Sequence, residues 1–180
     1  MLAALVLITV VPALAQESSA DPGAETRIDT LPALELEGDA PEAAGELRIV
    51  GSAFRPRAND VNYTTSGSGG CAYVTSGNAS QVWNTPLYLP DGAIVTTVRV
   101  YVNDNSASNL SAWFSIYDLF GNLVTEFGGN SGGITGNDWF DITGINHTIN
   151  YSANSYVINF RPVGTGSTLQ FCGIRIFYTY

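Results

Sequence analysis

Apolar and polar residues alternate along much of the chain from residue 47 onward. The most regular stretch is LYLPDGAIVTTVRVYVNDN, residues 87–105, in which Ile94, Val98, Val100 and Val102 fall on alternate positions. A period of two is typical of a β-strand that buries one face, because successive side chains point to opposite sides of a sheet. We therefore predict a strand here, with these apolar residues packed against a core.

Similar short stretches recur up to the C-terminus, and Gly, Pro or Asn separates them. Pro90-Asp91-Gly92 predicts a turn, and Gly121-Asn122 predicts a hairpin, since both of its residues tolerate a positive φ. No window has the period of a helix. This spacing predicts an all-β fold, an antiparallel, jelly-roll-like β-sandwich of about 8 to 10 strands. Besides the first stretch, the predicted strands are LRIVGSAF, CAYVTS, QVWNTPLYL, LSAWFSIYD, LFGNLVTEF, WFDIT, HTINYS, SYVINFR and STLQFCGIRIFYTY.

The chain contains two cysteines, Cys71 and Cys172. Two thiolates and the single His cannot complete a zinc site, and in an exported protein such a pair is typical of a disulfide. Alternation in the last strand predicts Gln170, Cys172, Ile174 and Ile176 on the core face. The bridge would then fasten the last strand to the early part of the domain.

The last strand ends in IFYTY, which carries no charge and no Pro. At the edge of a sheet, such a segment would pair with another chain. In the centre of a sheet, its neighbours would already occupy both sides. The sequence leaves both arrangements open.

Composition divides the chain into three parts. Residues 1–15, MLAALVLITVVPALA, are apolar and end in Ala-Leu-Ala, which predicts a cleaved signal peptide and no stable membrane insertion after cleavage. Residues 16–46 contain nine acidic residues and one Arg, without aromatics, which predicts a disordered acidic segment. A linker, a pro-segment and a donor strand are all open for it. Residues 47–180 form the predicted β-sandwich domain.

The predicted domain is almost neutral, with six Arg and seven acidic residues, although the whole chain has a net charge of −9. Neither the domain nor the acidic segment shows a basic patch in the sequence, and a polyanion would be repelled. We therefore expect no nucleic-acid partner. We predict that the protein is secreted and lies outside the cell or at the cell surface.

Groups suited to catalysis are scarce. His147 is the only His, and no Ser lies in a G-x-S-x-G elbow, so a Ser-His-Asp triad is not indicated. Asp138 and Asp141 flank Trp139-Phe140, but side chains three apart on a strand point to opposite faces, which does not suit the paired carboxylates of a glycosidase. We expect a protein that is not an enzyme.

We expect no cofactor, and calcium in two oxygen-rich loops is the alternative. NDNSASN contains Asp104, and GNDWFD contains Asp138 and Asp141. Carboxylate, amide and hydroxyl oxygens are the ligands that calcium prefers, although one carboxylate per loop predicts weak binding. Weak calcium binding at these aspartates is therefore the metal hypothesis.

Aromatic residues offer a second kind of site, because indole and phenol rings stack on sugar rings and neighbouring polar groups bind hydroxyls. Trp113 is the first choice, since alternation puts it opposite Phe114 and Ile116, on the face with Ser residues and Tyr117. The other reading is that these rings fill the core or cover a subunit contact. The candidate glycan-binding residues are Trp113, Tyr117, Tyr101, Trp139 and Trp83.

The run LYLPDGAIVTTVRVYVNDNSASNLSAWFSIYD resembles uncharacterised secreted bacterial proteins in which a Leu-Pro-x-Gly-Ala turn precedes a hydrophobic strand and an Asp-Asn pair. GINHTINYSANSYVINF and LQFCGIRIFYTY resemble the ends of such domains. The resemblance implies a secreted β-sandwich and no particular activity.

Two functions follow from these observations. The first is a non-catalytic structural or adhesive module, which associates with itself through strand edges, in filaments, or with other extracellular proteins. The alternative is a glycan-binding module that uses surface Trp and Tyr residues to hold a polysaccharide.

Overall fold

A computed structural model describes residues 43–66 and 68–180. The predicted signal peptide and most of the predicted acidic segment lie outside these residues. The described chain forms twelve strands and one short 3-10 turn, Gly51–Ala53. The strands are β1 Ala44–Val50, β2 Arg55–Pro56, β3 Val61–Ser66, β4 Cys71–Gly77, β5 Trp83–Pro86, β6 Ile94–Asp104, β7 Ser111–Asp118, β8 Leu123–Asn130, β9 Gly136–Ile142, β10 His147–Thr148, β11 Asn154–Arg161 and β12 Leu169–Thr179.

The strands build two antiparallel sheets, as the alternation predicts. In the seven-stranded sheet, β6 and β12 pair along their whole lengths, β9 and β10 flank β6, and β1 and β4 flank β12, with β3 beyond β4. The five-stranded sheet has the order β2-β5-β11-β7-β8. The prediction of an all-β sandwich is confirmed. The strand number is higher than predicted because β2 and β3 are not among the predicted strands. β2 has only two residues, and in β3 the four residues after the buried Val61 are all exposed, so neither strand has an alternating pattern.

The core lies between the inner faces of the two sheets. Val98, Val100 and Val102 of β6 are almost completely buried, as alternation in that strand predicts. Aromatic rings fill the centre, where Phe160 of β11 stacks on Phe171 of β12 with 4.0 Å between ring centroids. Packing of this kind joins the sheets through dispersion and through removal of apolar surface from water.

A β-bulge in β6 corrects one predicted position. Phe177 pairs with Thr97, and the next residue of β12, Tyr178, pairs with Val95, so that β6 has one extra residue at Thr96. The extra residue inverts the alternation. Val95 is therefore fully buried, whereas Ile94, which the pattern predicts in the core, is only half-buried.

A second bulge, in β12, corrects the predicted position of Cys172. Phe171 pairs with Val102 and Gly173 pairs with Tyr101, which leaves Cys172 as the extra residue. Before the bulge the core residues are Leu169 and Phe171, not Gln170 and Cys172. After the bulge Ile174 and Ile176 point inward as predicted.

The predicted disulfide is confirmed, with 2.03 Å between the Sγ atoms of Cys71 and Cys172. Cys71 is half-buried and precedes the buried Ala72, and Cys172 lines pockets on the outside of the seven-stranded sheet. The bridge therefore joins β4 and β12 on the outer face of the sheet, not within the core.

The C-terminal segment is central in its sheet. Residues 173–179 pair with β1 on one side and with β6 on the other. Of the two arrangements that the sequence leaves open, the central one is present, and the edge arrangement is wrong. One outer strand of the five-stranded sheet is β8, which pairs with β7.

Candidate functional site

The outer face of the seven-stranded sheet carries a pair of aromatic residues, one half-buried and one exposed. Tyr101 of β6 lies directly opposite Trp139 of β9. Tyr101 points outward because Val100 and Val102, on either side of it, face the core. Trp139 is 48% exposed. Cross-strand neighbours on one face of a sheet lie close enough for their rings to form one surface.

Arg99 and Asp141 support the Trp139 ring. The guanidinium carbon of Arg99 lies 4.9 Å from the centre of the ring, within the range of a cation–π interaction. Arg99 also donates two hydrogen bonds to Asp141, from Nε at 2.8 Å and from Nη2 at 2.9 Å. The hydrogen bond to Asp141 raises the pKa of Arg99 above its ordinary value, so Arg99 keeps its charge.

A pocket of about 390 Å³ lies beside this pair. Its lining includes Tyr101, Asn137, Asp138 and Trp139, and we call it the tryptophan pocket. Asn137 accepts a hydrogen bond of 2.6 Å from the side-chain amide of Asn103. The pocket thus combines aromatic surface with the side-chain amide of Asn137, and its volume lies within the range of small-ligand sites.

A second pocket, of about 550 Å³, lies on the other side of Tyr101. Its lining includes Arg48, Val50, Tyr101, Gly173 and Arg175, and we call it the arginine pocket. Val50, Gly173 and Tyr101 lie in register on β1, β12 and β6. Because Gly173 has no side chain, the row has a gap between Val50 and Tyr101, and that gap is part of the pocket.

Three arginines form a row across the same face. Arg48 pairs with Arg175, and Arg175 pairs with Arg99, on the adjacent strands β1, β12 and β6. Like charges that are directly opposite on neighbouring strands repel each other. Carboxylates reduce this repulsion, since Asp141 binds Arg99 and Glu46 binds both Arg48, at 2.6 Å, and Arg175. The hydrogen bond from Arg175 lowers the pKa of Glu46, which therefore stays ionised.

The outer face of the five-stranded sheet carries the other two surface aromatics of the candidate set, Trp113 and Tyr117 of β7. A pocket of about 300 Å³ lies there. Its lining includes Arg57, Trp113, Tyr117, Glu126, Asn159 and Arg161. The candidate glycan-binding residues therefore do not form one site, because β6 and β7 belong to different sheets.

Polar side chains beneath this second pocket bind one another. Asn159 accepts a 2.8 Å hydrogen bond from Arg57 and donates one of 2.8 Å to Ser115. Ser115 donates to Glu126 at 3.3 Å, and Arg57 also donates to the Tyr117 hydroxyl at 3.2 Å. Asn159 and Ser115 are buried. Most of this polar surface is therefore already used within the protein.

Trp113, the first choice from the sequence, has a more enclosed ring than Trp139. The guanidinium carbon of Arg161 lies 5.3 Å from the centre of the ring. On β8, a Cβ added to Gly128 would lie 2.7 Å from Cδ1 of Trp113, so the indole rests against that glycine. Trp113 is half-buried as a result.

Trp83 lies in the core, and this placement removes it from the candidate surface residues. Its side chain is 0% exposed, and its ring centroid lies 5.2 Å from that of Phe160. A ligand on the surface cannot reach this ring. The sequence does not distinguish Trp83 from the other two tryptophans, because its position depends on the pairing of β5 with β11.

The three candidate calcium ligands do not converge. Asp104 is buried, where it accepts a 2.5 Å hydrogen bond from the Ser131 hydroxyl and one of 3.1 Å from the Ser106 amide. Asp141 binds Arg99, and Asp138 accepts a hydrogen bond from the Trp139 amide at 2.9 Å. Among the described residues, no group of three His, Cys, Asp or Glu side chains is arranged to hold a metal ion.

His147 contacts aromatic residues. Its Nε2 lies 3.3 Å from the Tyr156 hydroxyl, and its ring centroid lies 6.2 Å from that of Phe114. Partial burial lowers the pKa of His147 below its ordinary value, because the charged imidazolium loses hydration. The expectation that the protein is not an enzyme remains a prediction.

Arg48, Arg99, Arg175 and Gly173 are not recognisable as site residues in the sequence. Each arginine lies on the outward side of its strand between apolar residues that face inward, so alternation could have placed the arginines on a sheet face. It could not have shown that the three arginines are neighbours, since β1, β12 and β6 are far apart in the chain.

No protein-family model matches the chain, and no curated protein sequence matches it. Three solved structures illustrate the folds to which it is similar. The C-terminal CBM6 of the laminarinase LamC from Zobellia galactanivorans is 19% identical, with 73% of this chain and 98% of that chain covered and a TM-score of 0.42.

The low-affinity xylan-binding module CBM86 from Roseburia intestinalis is 12% identical, with coverage of 73% and 94% and a TM-score of 0.44. A CBM36 module in complex with calcium and xylotriose is 12% identical, with coverage of 74% and 98% and a TM-score of 0.41. Likeness at these values does not identify a ligand for this chain. In residues 43–66 and 68–180, no helix has the length and apolar character needed to cross a membrane.

Proposed function

We propose that this protein is a secreted, non-catalytic module that binds a polysaccharide on the outer face of its seven-stranded sheet. The observation that carries the proposal is the exposed ring of Trp139 beside Tyr101, in a pocket with Asn137. An aromatic ring that is held in place and half exposed, next to groups that form hydrogen bonds, can pack against a sugar ring while those groups bind its hydroxyls.

The chemistry of a sugar ring matches both parts of this pocket. The C–H groups of a pyranose form an apolar face that packs on an aromatic ring, and its hydroxyls bind amides and carboxylates. Arg99 and Asp141 hold the Trp139 ring before a ligand arrives. Little side-chain freedom is then lost on binding, which favours affinity.

The pocket on the five-stranded sheet is less suited to this role. Arg161 and Gly128 enclose Trp113. The polar groups below it form hydrogen bonds to one another, and a sugar would have to replace those bonds. A ligand gains little when it exchanges one satisfied hydrogen bond for another.

Binding to a panel of polysaccharides tests the proposal. The full chain is tested against immobilised polysaccharides, and the affinity of each ligand found is measured by isothermal titration calorimetry. Trp139→Ala and Tyr101→Ala should weaken binding roughly tenfold, by analogy with nucleic-acid bases, whose stacking on an aromatic side chain contributes about 1–3 kcal/mol. Tyr88→Ala is the control, because Tyr88 is 77% exposed outside both pockets.

Self-association is the second candidate function, and the β8 edge is the observation that favours it. Leu123 and Val124 of β8 are more than half exposed, and so are Leu119 and Phe120 in the preceding turn. An outer strand with exposed apolar residues can pair with a second copy. Val124→Lys should then abolish any oligomer seen by sedimentation velocity, whereas a wild-type chain that stays monomeric would exclude this candidate.

A further inference from the structure

We infer that the arginine pocket binds the acidic group of a charged sugar, so that the ligand is an acidic polysaccharide. This inference rests on the proposed function and adds the chemical class of the ligand. The six arginines and seven acidic residues of residues 47–180 give no indication of it in the sequence, because the charges almost cancel. In the folded protein, however, the positive charges of Arg48 and Arg175 line one pocket without an acidic residue among the described lining residues.

The lining of the arginine pocket has one sign of charge. Arg48 and Arg175 line it, and none of the described residues that line it is acidic. Glu46, which binds both arginines, is not part of the lining. Two guanidinium groups therefore share one carboxylate, and their uncompensated charge faces the pocket.

Both guanidinium groups have donors left for a ligand. A guanidinium has several N–H donors in a planar fork that matches a carboxylate or a sulfate. Arg48 and Arg175 each contact Glu46 through Nη2. The side chain of Arg48 is 69% exposed, so a ligand can reach it, and that of Arg175 is 29% exposed.

Tyr101 connects this pocket to the tryptophan pocket, because it lines both. Val50, Gly173, Tyr101 and Trp139 form one row across four strands. At a strand spacing of about 4.8 Å, this row is about 14 Å long. A chain of several sugars can therefore stack one ring at Trp139 while an acidic group of a neighbouring ring reaches Arg48 and Arg175.

The two halves of the row differ in charge, which gives the ligand a direction. Arg48 and Arg175 line the arginine pocket, and none of the described residues that line the tryptophan pocket is an arginine. An acidic group is therefore attracted to the side of the row beyond Tyr101. A neutral ring is therefore expected at Trp139 and an acidic one beyond Tyr101.

Matched pairs of oligosaccharides test the inference on the full chain. The first pair is tetragalacturonate and its fully methyl-esterified form, which share a backbone and differ in charge. The second pair is an oligosaccharide of sulfated carrageenan and one of neutral agarose. We expect the charged member of at least one pair to bind roughly tenfold more tightly in calorimetry at low salt. The pair in which the charged member binds more tightly shows whether the pocket prefers a carboxylate or a sulfate.

Arg48→Gln should remove this preference and leave the affinity for the neutral member unchanged. Arg55→Gln is the control, since it removes the same charge from an exposed residue of β2, on the other sheet. Thermal melts of both variants confirm that they fold. Preference for the charged member that survives Arg48→Gln would overturn the inference.

The remaining outcomes separate the inference from the proposed function. Equal binding of both members of each pair, or binding of neutral polysaccharides alone, with loss in Trp139→Ala, would overturn the acidic ligand and support the glycan-binding function. A single-stranded oligonucleotide that binds as tightly as the acidic sugars, through Arg48, would show a general polyanion site and overturn the inference. If no polysaccharide binds, both the acidic-ligand inference and the glycan-binding function are contradicted.

Discussion

Gly173 lies directly opposite Tyr101 in the pairing of β12 with β6, and its lack of a side chain opens the arginine pocket beside that ring. Gly173 has φ of 140°, a backbone conformation that other residues rarely adopt. A Cβ at this position would lie 2.5 Å from the carbonyl oxygen of Ile49. Both the backbone and the close approach of β1 therefore require glycine here.

Gly173→Ala should be strongly destabilising for these two reasons. We expect the free energy of unfolding to fall by about 2 kcal/mol or more, because a strained backbone and a contact with main-chain atoms add. Urea denaturation measures the change. Gly70→Ala is the control, since no atom lies within 4 Å of an added Cβ there. Equal stability of the two variants would show that β1 does not lie against Gly173 as described.

Asn159 should stabilise the outer face of the five-stranded sheet. It is 4% exposed and holds Arg57 and Ser115 through hydrogen bonds of 2.8 Å. Asn159→Leu leaves these groups without their partner, and we expect a loss of about 1–3 kcal/mol in urea denaturation. Ser155→Ala, at an exposed position of the same strand, is the control. An unchanged midpoint for Asn159→Leu would exclude the network as a source of stability.

Reduction of the disulfide should lower stability considerably. Cys71 and Cys172 are 101 residues apart. On the chain-entropy model, a bridge that closes so long a loop stabilises the folded state by up to about 4.7 kcal/mol. The melting temperature with and without a reducing agent measures this effect, and the double variant with Ser at both positions should melt like the reduced protein. A reduced protein that melts at the same temperature would show that the bridge does not stabilise the folded state.

Stability should also fall in mild acid because of His147. Its pKa is lowered in the folded protein, so the unfolded chain binds the proton more readily. By linkage, the free energy of unfolding decreases as the pH falls through the ordinary His pKa, about 6.5, and becomes level below the folded value. Urea denaturation at about pH 7.5 and pH 5.5 measures the decrease.

His147→Gln should reduce this dependence on pH. The carboxylates with lowered pKa values, such as Asp60 and Asp118, lose their contribution only at lower pH, since their ordinary values lie near 4. They therefore do not mask the His147 effect in this range. A wild-type protein equally stable at both pH values would show that burial of His147 does not disfavour its charged form.

The fold was predictable from the sequence because alternation of burial survives in strands such as β1, β5 and most of β6. Val98, Val100 and Val102 face the core as predicted. The two bulges were not predictable, since an extra residue such as Thr96 or Cys172 inverts the phase without leaving a distinct pattern. Ile94 and Val95 are both apolar, and only the pairing with β12 determines which of them is buried.

The candidate site was predictable only as a set of residue types. Trp139 and Tyr101 are recognisable as potential stacking residues, but their placement side by side depends on the register of β9 with β6. Strand pairing also puts Trp113 on the other sheet and buries Trp83 in the core. Long-range pairing, which local periodicity does not encode, decides which aromatics share a face.

The affinity of Trp139→Ala, compared with that of Trp113→Ala, tests the central claim most directly. Each variant removes an indole from the outer face of one sheet, Trp139 from the seven-stranded sheet and Trp113 from the five-stranded sheet. Calorimetry with a polysaccharide that the wild-type chain binds should give a loss of roughly tenfold or more for Trp139→Ala and an almost unchanged affinity for Trp113→Ala. The reverse order, or equal affinities of both variants and the wild type, would contradict binding on the seven-stranded sheet.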